Sequence, residues 1–367
     1  MLKKIGIKKR AIVCVTNDLV TDQRVHKTCL TLQKCSYDVL ATGRLLPKSL
    51  PFVQPYKTRR VKHFFNRKAL FYAEYNIRLF FFLLFAKVDL IFANDLDTLP
   101  AALWAAKIRK KRLIFDAHEL FFEMPELQHR NFQKKIWKKI EDIFIPKLDS
   151  AITVCQSIAD YYKEKYHIDF KAVRNMPLYK FDNSEKEKLN FGDKKIIIYQ
   201  GAINVGRGLE WTIEAMKYVE NAVLLIIGNG DIEEKLKQQV SDLQLDNKVF
   251  FLGKIVPEKL PAYTVNANIG LCLLENRGLS YYYSLPNRVF DYIQAKVPVL
   301  ATDFPEISNI VNTYHTGITI NNYEPQFLAK KINEMLENKI DNKVFEKAAK
   351  ELCWENEEKI LIEIINS

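Results

Sequence analysis

Arg288 and Asp291 stand three residues apart just after a proline, in the stretch SLPNRVFDYIQAKVPVLATDFPE at 284–306. Pro286 predicts the first position of a helix, because its φ is already helical and its missing N–H would be unpaired there. A helix start offers free N–H groups and a partial positive charge, which suits an anion such as phosphate. Arg288 lies in that first turn and can pair with the same anion. Asp291 shares its helical face, where a carboxylate accepts bonds from vicinal hydroxyls such as those of ribose. Two readings fit equally well. Either one helix end holds both halves of a nucleoside diphosphate, or this is an ordinary amphipathic helix with an i,i+3 ion pair.

Other groups with chemical potential lie upstream. Gly201, Gly206 and Gly208 follow an apolar run at 195–200 and allow tight turns and close backbone approach to a ligand. Their spacing is not G-x-G-x-x-G, which argues against a dinucleotide. His118 follows the apolar run 112–116 in DAHELFFE. A lone histidine is more often structural, but a position at the carboxyl end of a strand, between Asp116 and Glu119, favours an active-site role. Glu119 or Glu123 can orient its ring or bind an acceptor. Asp95 and Asp97 form a D-x-D, read as a polar loop whose acids cap the helix starting near Thr98, since two acids are too few for a metal.

The elements that position these groups read as alternating strands and helices, which predicts parallel α/β sheets. Strands are expected at 11–15, 37–41, 88–93, 112–116 and 150–154, then at 195–200, 223–228, 249–252 and 297–302. Residues 44–68 read as a basic, proline-containing connection, followed by an aromatic helix ending in RLFFFLLFAK. Its uncharged run of eight residues is too short to span a bilayer, so a buried helix is expected, with docking on a membrane surface as the lesser alternative. Residues 130–148 predict an amphipathic helix with Phe132, Ile136, Ile140, Ile143 and Phe144 on its apolar stripe and five basic residues around it, which read either as a solvated face or as a surface that docks on an anionic membrane. The polar stretch 182–193 is the expected linker.

The wording PNRVFDYIQAKVPVLATD resembles the family 4 glycosyltransferases, and several separated matches fall in the same order along nearly the whole chain. The resemblance implies the GT-B fold: α/β, with two Rossmann-like domains whose parallel sheets face a central cleft. Domains are expected at 1–182 (acceptor side) and 183–349 (nucleotide-sugar side), with 350–367 a helix crossing back to the first. It implies that Arg207 and Arg288 hold the donor diphosphate, Asp291 the ribose, and that His118 contacts the sugar. Gly201, Gly206, Asn287, Tyr283 and Glu275 complete the donor side. Asp22 and Arg24 in TDQRVHKTCLTL face the acceptor together with Glu119, although a helix-capping Asp beside a surface Arg explains the pair as well. The chain departs from the family at three points: Tyr283 replaces the first Glu of its E-x7-E pair, Asp291 replaces the second, and Ala202 stands where an Arg is common. Glu275 is a candidate substitute for the missing acid.

Composition bounds the rest. With 48% hydrophobic and 27% charged residues among 367, the chain is globular and long enough for two cores. Six cysteines without a C-x-x-C pair favour reduced, structural thiols in a cytosolic protein. The basic start MLKKIGIKKR lacks a small-residue cleavage site and reads as the lead into a strand. Residues 1–182 carry 34 Lys and Arg against 18 Asp and Glu, and the remainder 21 against 26, so the front half is strongly basic. It suits a lipid-linked phosphate acceptor or phospholipid headgroups. Nucleic acid is disfavoured, because no RNA- or DNA-binding motif accompanies the charge. The resemblance implies transfer of a sugar, with retention and without a metal or other cofactor, from a nucleoside diphosphate sugar to an acceptor hydroxyl. The expected setting is cell-surface polysaccharide or lipid-linked glycan synthesis, in the cytoplasm and peripherally at the inner face of the membrane. A nucleotide-sugar epimerase of the same fold, or a non-enzymatic protein binding nucleotide sugars or membranes, is the alternative.

Overall fold

The computed structural model describes residues 8–20, 22–47, 49–124, 127, 130–179 and 186–367. The chain divides into two compact units. The first takes Met1–Asn175 with Glu357–Ser367, and the second takes Met176–Asn356. The sequence-based boundary at 182 falls in a stretch outside the described residues.

The first unit is built on a sheet of seven parallel strands: β1 (Arg10–Cys14), β2 (Asp38–Arg44), β3 (Lys57–Val61), β4 (Leu90–Asn94), β5 (Arg112–Ala117), β6 (Ala151–Thr153) and β7 (Phe170–Ala172). Their order is β3-β2-β1-β4-β5-β6-β7. The central strands β1 and β4 are apolar and buried because helices cover both faces. Sheet order reverses between β1 and β4, so the loops leaving them part and open a crevice at their carboxyl ends. β3 lies in the segment expected to be a plain connection. Its KTRRV sequence looks unlike a strand because it is the sheet edge, where charged residues ward off further pairing.

Two helices of this unit differ from expectation. Lys68–Phe85 buries only Phe71, Tyr75, Leu79 and Leu83 and leaves Ile77, Phe81 and Phe85 exposed. Asn131–Phe144 turns Phe132, Ile136 and Ile143 outward. Its inward side is set by Trp137, whose ring lies 4.6 Å from Phe121 and 4.9 Å from Tyr72, and by Glu141, buried and bonded to Lys165 (3.0 Å) and the Tyr166 hydroxyl (2.8 Å). The last helix, Trp354–Asn366, belongs to this unit from Glu357 onward. Glu357 accepts from the Arg174 guanidinium at 2.7 Å, and Glu358 from Lys34 at 2.7 Å.

The second unit repeats the plan with six parallel strands: β8 (Lys195–Gln200), β9 (Ala222–Ile227), β10 (Val249–Gly253), β11 (Ile269–Cys272), β12 (Val299–Thr302) and β13 (Gly317–Ile320), ordered β10-β9-β8-β11-β12-β13. Successive residues feed opposite faces, Ile197 and Tyr199 entering one core and Ile196 and Ile198 the other. The reversal point here lies between β8 and β11. A helix, Asn287–Gln294, sits hard against β11 because Gly270 has no side chain: a Cβ there would stand 2.4 Å from the Tyr292 ring. None of the six cysteines is in a disulfide, and all but Cys35 are buried.

Candidate functional site

In the second unit, the loops leaving β8 and β11 bring the expected donor residues to one reversal point, where open α/β sheets bind ligands. Arg288 occupies the first turn of Asn287–Gln294. Pro286 is the cap preceding that helix, one position earlier than its sequence suggested. The Arg288 guanidinium is buried over the Tyr199 ring, 4.5 Å from its centroid. Gly201 makes room for it: at φ +141 its backbone is one that side chains avoid, and a Cβ would stand 3.3 Å from Arg288 Nη2. Arg207 lies over the Tyr281 ring at 4.7 Å. Burial pushes the Cys272 thiol up, and Arg288 and Arg207 both pull it back, so the two cations lie near the same sulfur at the end of β11. Among the described residues, buried Arg288 Nη1 and Arg207 Nε have no hydrogen-bond acceptor. Two guanidinium groups with unused donors are suited to a polyanion, since Arg matches phosphate oxygens with several directed N–H bonds.

Asp291 is held one turn along the same helix. Gln200 Nε2 donates to its Oδ2 at 3.0 Å, and Thr264 Oγ1 donates to Gln200 Oε1 at 2.8 Å, which fixes the amide. Glu275 is bonded to Arg277 Nε at 2.7 Å, and the Arg277 chain crosses Gly206, its Cδ 2.8 Å from where a Cβ would be. Glu275 is therefore not an isolated acid, and Arg277 adds a cation that the sequence reading passed over. Tyr283 follows a short helix, Leu279–Tyr282; its ring is 5.5 Å from that of Tyr282, which packs on Phe304 at 5.2 Å. Asn287 is exposed at the helix start.

The first unit concentrates charge at its own reversal point. Arg24 grips Asp116 through Nε (2.8 Å) and Nη2 (2.7 Å) and donates from Nη1 to the Val173 carbonyl at 2.6 Å. Both side chains are buried, so Arg24 is spent on Asp116 and does not present its charge to an acceptor, in contrast to its sequence assignment. Asp22 caps the helix Gln23–Lys34, accepting from Val25 N at 3.1 Å. His118 meets acceptors on both ring nitrogens: Nδ1 lies 3.3 Å from Asp95 Oδ2, and Nε2 lies 3.4 Å from Asp116 Oδ2 and 3.2 Å from Asn94 Oδ1. Burial opposes charge on the ring, but Asp95 and then Asp116 outweigh it and raise its pKa to about 9. The ring is an imidazolium at neutral pH. Asp116 is held down at about 2: burial resists, while Arg24 and His118 favour the carboxylate.

Asp95 and Asp97 overturn the capping assignment. Thr98 starts the helix without a side-chain cap, and Asp95, at φ +62, turns its carboxylate to His118, whose N–H donates to Oδ1 at 2.9 Å. Asp97 is buried, accepts from Thr16 Oγ1 at 2.6 Å, and is pushed up to about 8 by burial and by Asp95. The orienting acids of His118 are thus Asp95 and Asp116. Glu123 pairs instead with Lys134 at 3.0 Å. The β4–β5 register, Asn94 beside Asp116, brings these loops together, and no local sequence signal reveals it. Glu119 follows His118 in the same loop.

Two family models match in tandem, one described as Glycosyltransferase Family 4 over residues 27–177 and one as Glycosyl transferases group 1 over residues 180–352. Among curated proteins, the chitobiosyldiphosphodolichol beta-mannosyltransferase of Candida albicans is 23% identical over 242 residues, 59% of this chain and 52% of that protein. The chain spans about half the length of the curated relatives it matches. Among solved structures, the fold is shared with sucrose-phosphate synthase from Thermosynechococcus elongatus, with a TM-score of 0.82, 16% identity and 98% of each chain covered. It is also shared with Anabaena HepE in complex with UDP and glucose, with a TM-score of 0.76, 14% identity, and 98% of this chain and 99% of that one covered.

Proposed function

The chain belongs to glycosyltransferase family 4, with the GT-B fold, and we propose that it transfers a sugar, with retention, from a nucleoside diphosphate sugar to the hydroxyl of a lipid-linked or cell-surface glycan. The observation that carries this reading is the pair Arg207 and Arg288, with unused N–H donors beside the same end of β11. Departure of the diphosphate leaves negative charge that must be neutralised as the glycosidic bond breaks. Fixed guanidinium groups do this without reorganising, which is the largest electrostatic demand of the reaction. Fixed cations of this kind supply charge without a metal, and we propose a metal-independent reaction.

Asp291, steadied by Gln200, is assigned to the ribose hydroxyls, and His118 to the transferred sugar as a positioned imidazolium. Asp22 and Glu119 are assigned to the acceptor side. A bound nucleoside diphosphate is supported by the UDP in the Anabaena complex, and a lipid-linked acceptor by the name of the Candida relative and by the basic first half of this chain. The expected location is the inner face of a membrane.

The test is a thermal-shift screen of UDP, GDP, ADP and their sugars on the wild type and Arg288→Ala, because a ligand binding only the folded state raises its stability. One nucleotide series should raise the midpoint of the wild type and not of the variant. Release of free nucleoside diphosphate in the presence of a lipid-phosphate acceptor should depend on the same residue. No shift with any nucleotide would sink the proposal.

A further inference from the structure

Three helices of the first unit present an unusual outer surface. Lys68–Phe85 exposes Phe81 and Phe85 to 54% and 80%, Leu99–Arg109 exposes Trp104 to 47%, and Asn131–Phe144 exposes Phe132 to 74%. The helices form one layer: Tyr72 of the first meets Trp137 of the third at 4.9 Å, and Trp104 of the second meets Phe144 of the third at 6.3 Å. An amphipathic helix normally buries its apolar stripe. Here the stripe Phe132–Ile136–Ile143 points away from the fold, and the buried position is a glutamate.

Basic residues predominate around these side chains. Lys135 and Lys139 are exposed next to Ile136 and form no ion pair among the described residues, and Lys147 lies 5.4 Å over the Trp104 ring. Two nearby acids are already paired: Asp142 with Lys138 at 2.6 Å, and Glu74 with Arg78 at 2.7 Å. A second copy of the same face would bring like charges together. Aromatic tips among free lysines, on helices lying flat, match an anionic lipid surface, into which such rings sink while the ammonium groups meet headgroups. None of the described helices is long and apolar enough to cross a membrane.

We infer that this three-helix face docks the enzyme on an anionic bilayer, with Phe81, Phe85, Trp104 and Phe132 inserted and Lys135 and Lys139 at the headgroups. The inference rests on the lipid-linked acceptor proposed above. It takes up the membrane-docking alternative that the sequence offers, in place of burial of the aromatic helix.

The test is co-flotation of the full chain with vesicles of phosphatidylcholine mixed with phosphatidylglycerol, against vesicles of phosphatidylcholine alone. The wild type should float with the mixed vesicles only. Lys135→Gln/Lys139→Gln should weaken binding about 25-fold, at about fivefold per basic residue. Phe81→Ser/Phe85→Ser should weaken it on the order of tenfold or more through lost apolar burial. All these side chains are exposed, so nucleotide-induced thermal shifts should be unchanged in both variants. That separates failure of docking from failure of the glycosyltransfer reading. Equal recovery with both vesicle types, or undiminished binding by both variants, overturns the inference. So does a lipid-independent dimer that Phe81→Ser/Phe85→Ser dissociates, which would make this face a self-contact.

Discussion

His118 offers a prediction that can be worked through to a number. Burial alone would discharge its ring, yet Asp95 and Asp116 raise its pKa from 6.5 to about 9. A rise of that size is worth about 3 kcal/mol of preference for the charged ring in the folded state, at 1.36 kcal/mol per unit. Because the folded pKa lies above the unfolded one, the stabilisation is complete below pH 6.5 and is lost as pH rises through 9. Asp97, neutral in the fold up to about 8, pulls stability down over part of the same range, so the histidine must be isolated by comparison. Replacing it with glutamine keeps a donor but removes the titration. Denaturant unfolding from pH 6 to 9.5 should show the wild type losing about 3 kcal/mol more than His118→Gln. The ring signals of the six histidines, followed by NMR, give the direct reading. His118 should titrate well above the ordinary histidine value, at about 9, while His26 and His63 fall below it because burial disfavours their charge. Parallel stability curves for the two proteins, or a His118 midpoint at or below 6.5, would refute the charged-ring argument.

The other predictions concern what holds the site in place. Arg24→Met leaves buried Asp116 with His118 as its remaining cation and should cost about 3 kcal/mol in unfolding experiments; Arg24→Lys should recover only part, because an ammonium cannot reproduce the two-pronged grip. Gly201→Ala introduces both an unfavourable backbone and a Cβ against Arg288, and should lower nucleoside diphosphate affinity on the order of tenfold in titration calorimetry, about the 1–3 kcal/mol of one strained residue. Gln200→Leu removes a hydrogen bond that steadies Asp291 and should weaken nucleoside diphosphate inhibition about fivefold, a typical hydrogen-bond increment, while leaving inhibition by inorganic pyrophosphate unchanged.

Parts of this site were legible in the sequence for identifiable reasons. Arg288 and Asp291 share a helix face by spacing alone, and glycines in a strand-to-helix loop announce close approach wherever they occur. Gly201 then proved to face Arg288, a pairing across 87 positions that periodicity does not encode. The same limit hid Gln200 as a partner of Asp291 and Asp95 as a partner of His118, because each pair meets only through the packing of elements far apart in sequence. The sequence offers Arg24 either as an acceptor-facing cation or as a surface one, yet the strand that carries Asp116 lies beneath it. The β3 edge was missed because edge strands are charged for the sake of solubility, which removes the apolar alternation that marks interior strands. The outward aromatics misled for the opposite reason: apolar side chains are read as core, and nothing local distinguishes a stripe that faces out.

The central claim is that Arg207 and Arg288 together grip a diphosphate, and titration calorimetry of the nucleotide identified by the thermal-shift screen tests it most directly. Nucleoside diphosphate should bind the wild type, and Arg207→Ala and Arg288→Ala should each lose about 10- to 100-fold, the worth of a charge-assisted hydrogen bond of 1.5–3 kcal/mol. The parent nucleoside should bind all three proteins alike. If nucleoside and nucleoside diphosphate lose affinity equally, or neither substitution weakens the diphosphate, the two arginines do not hold it.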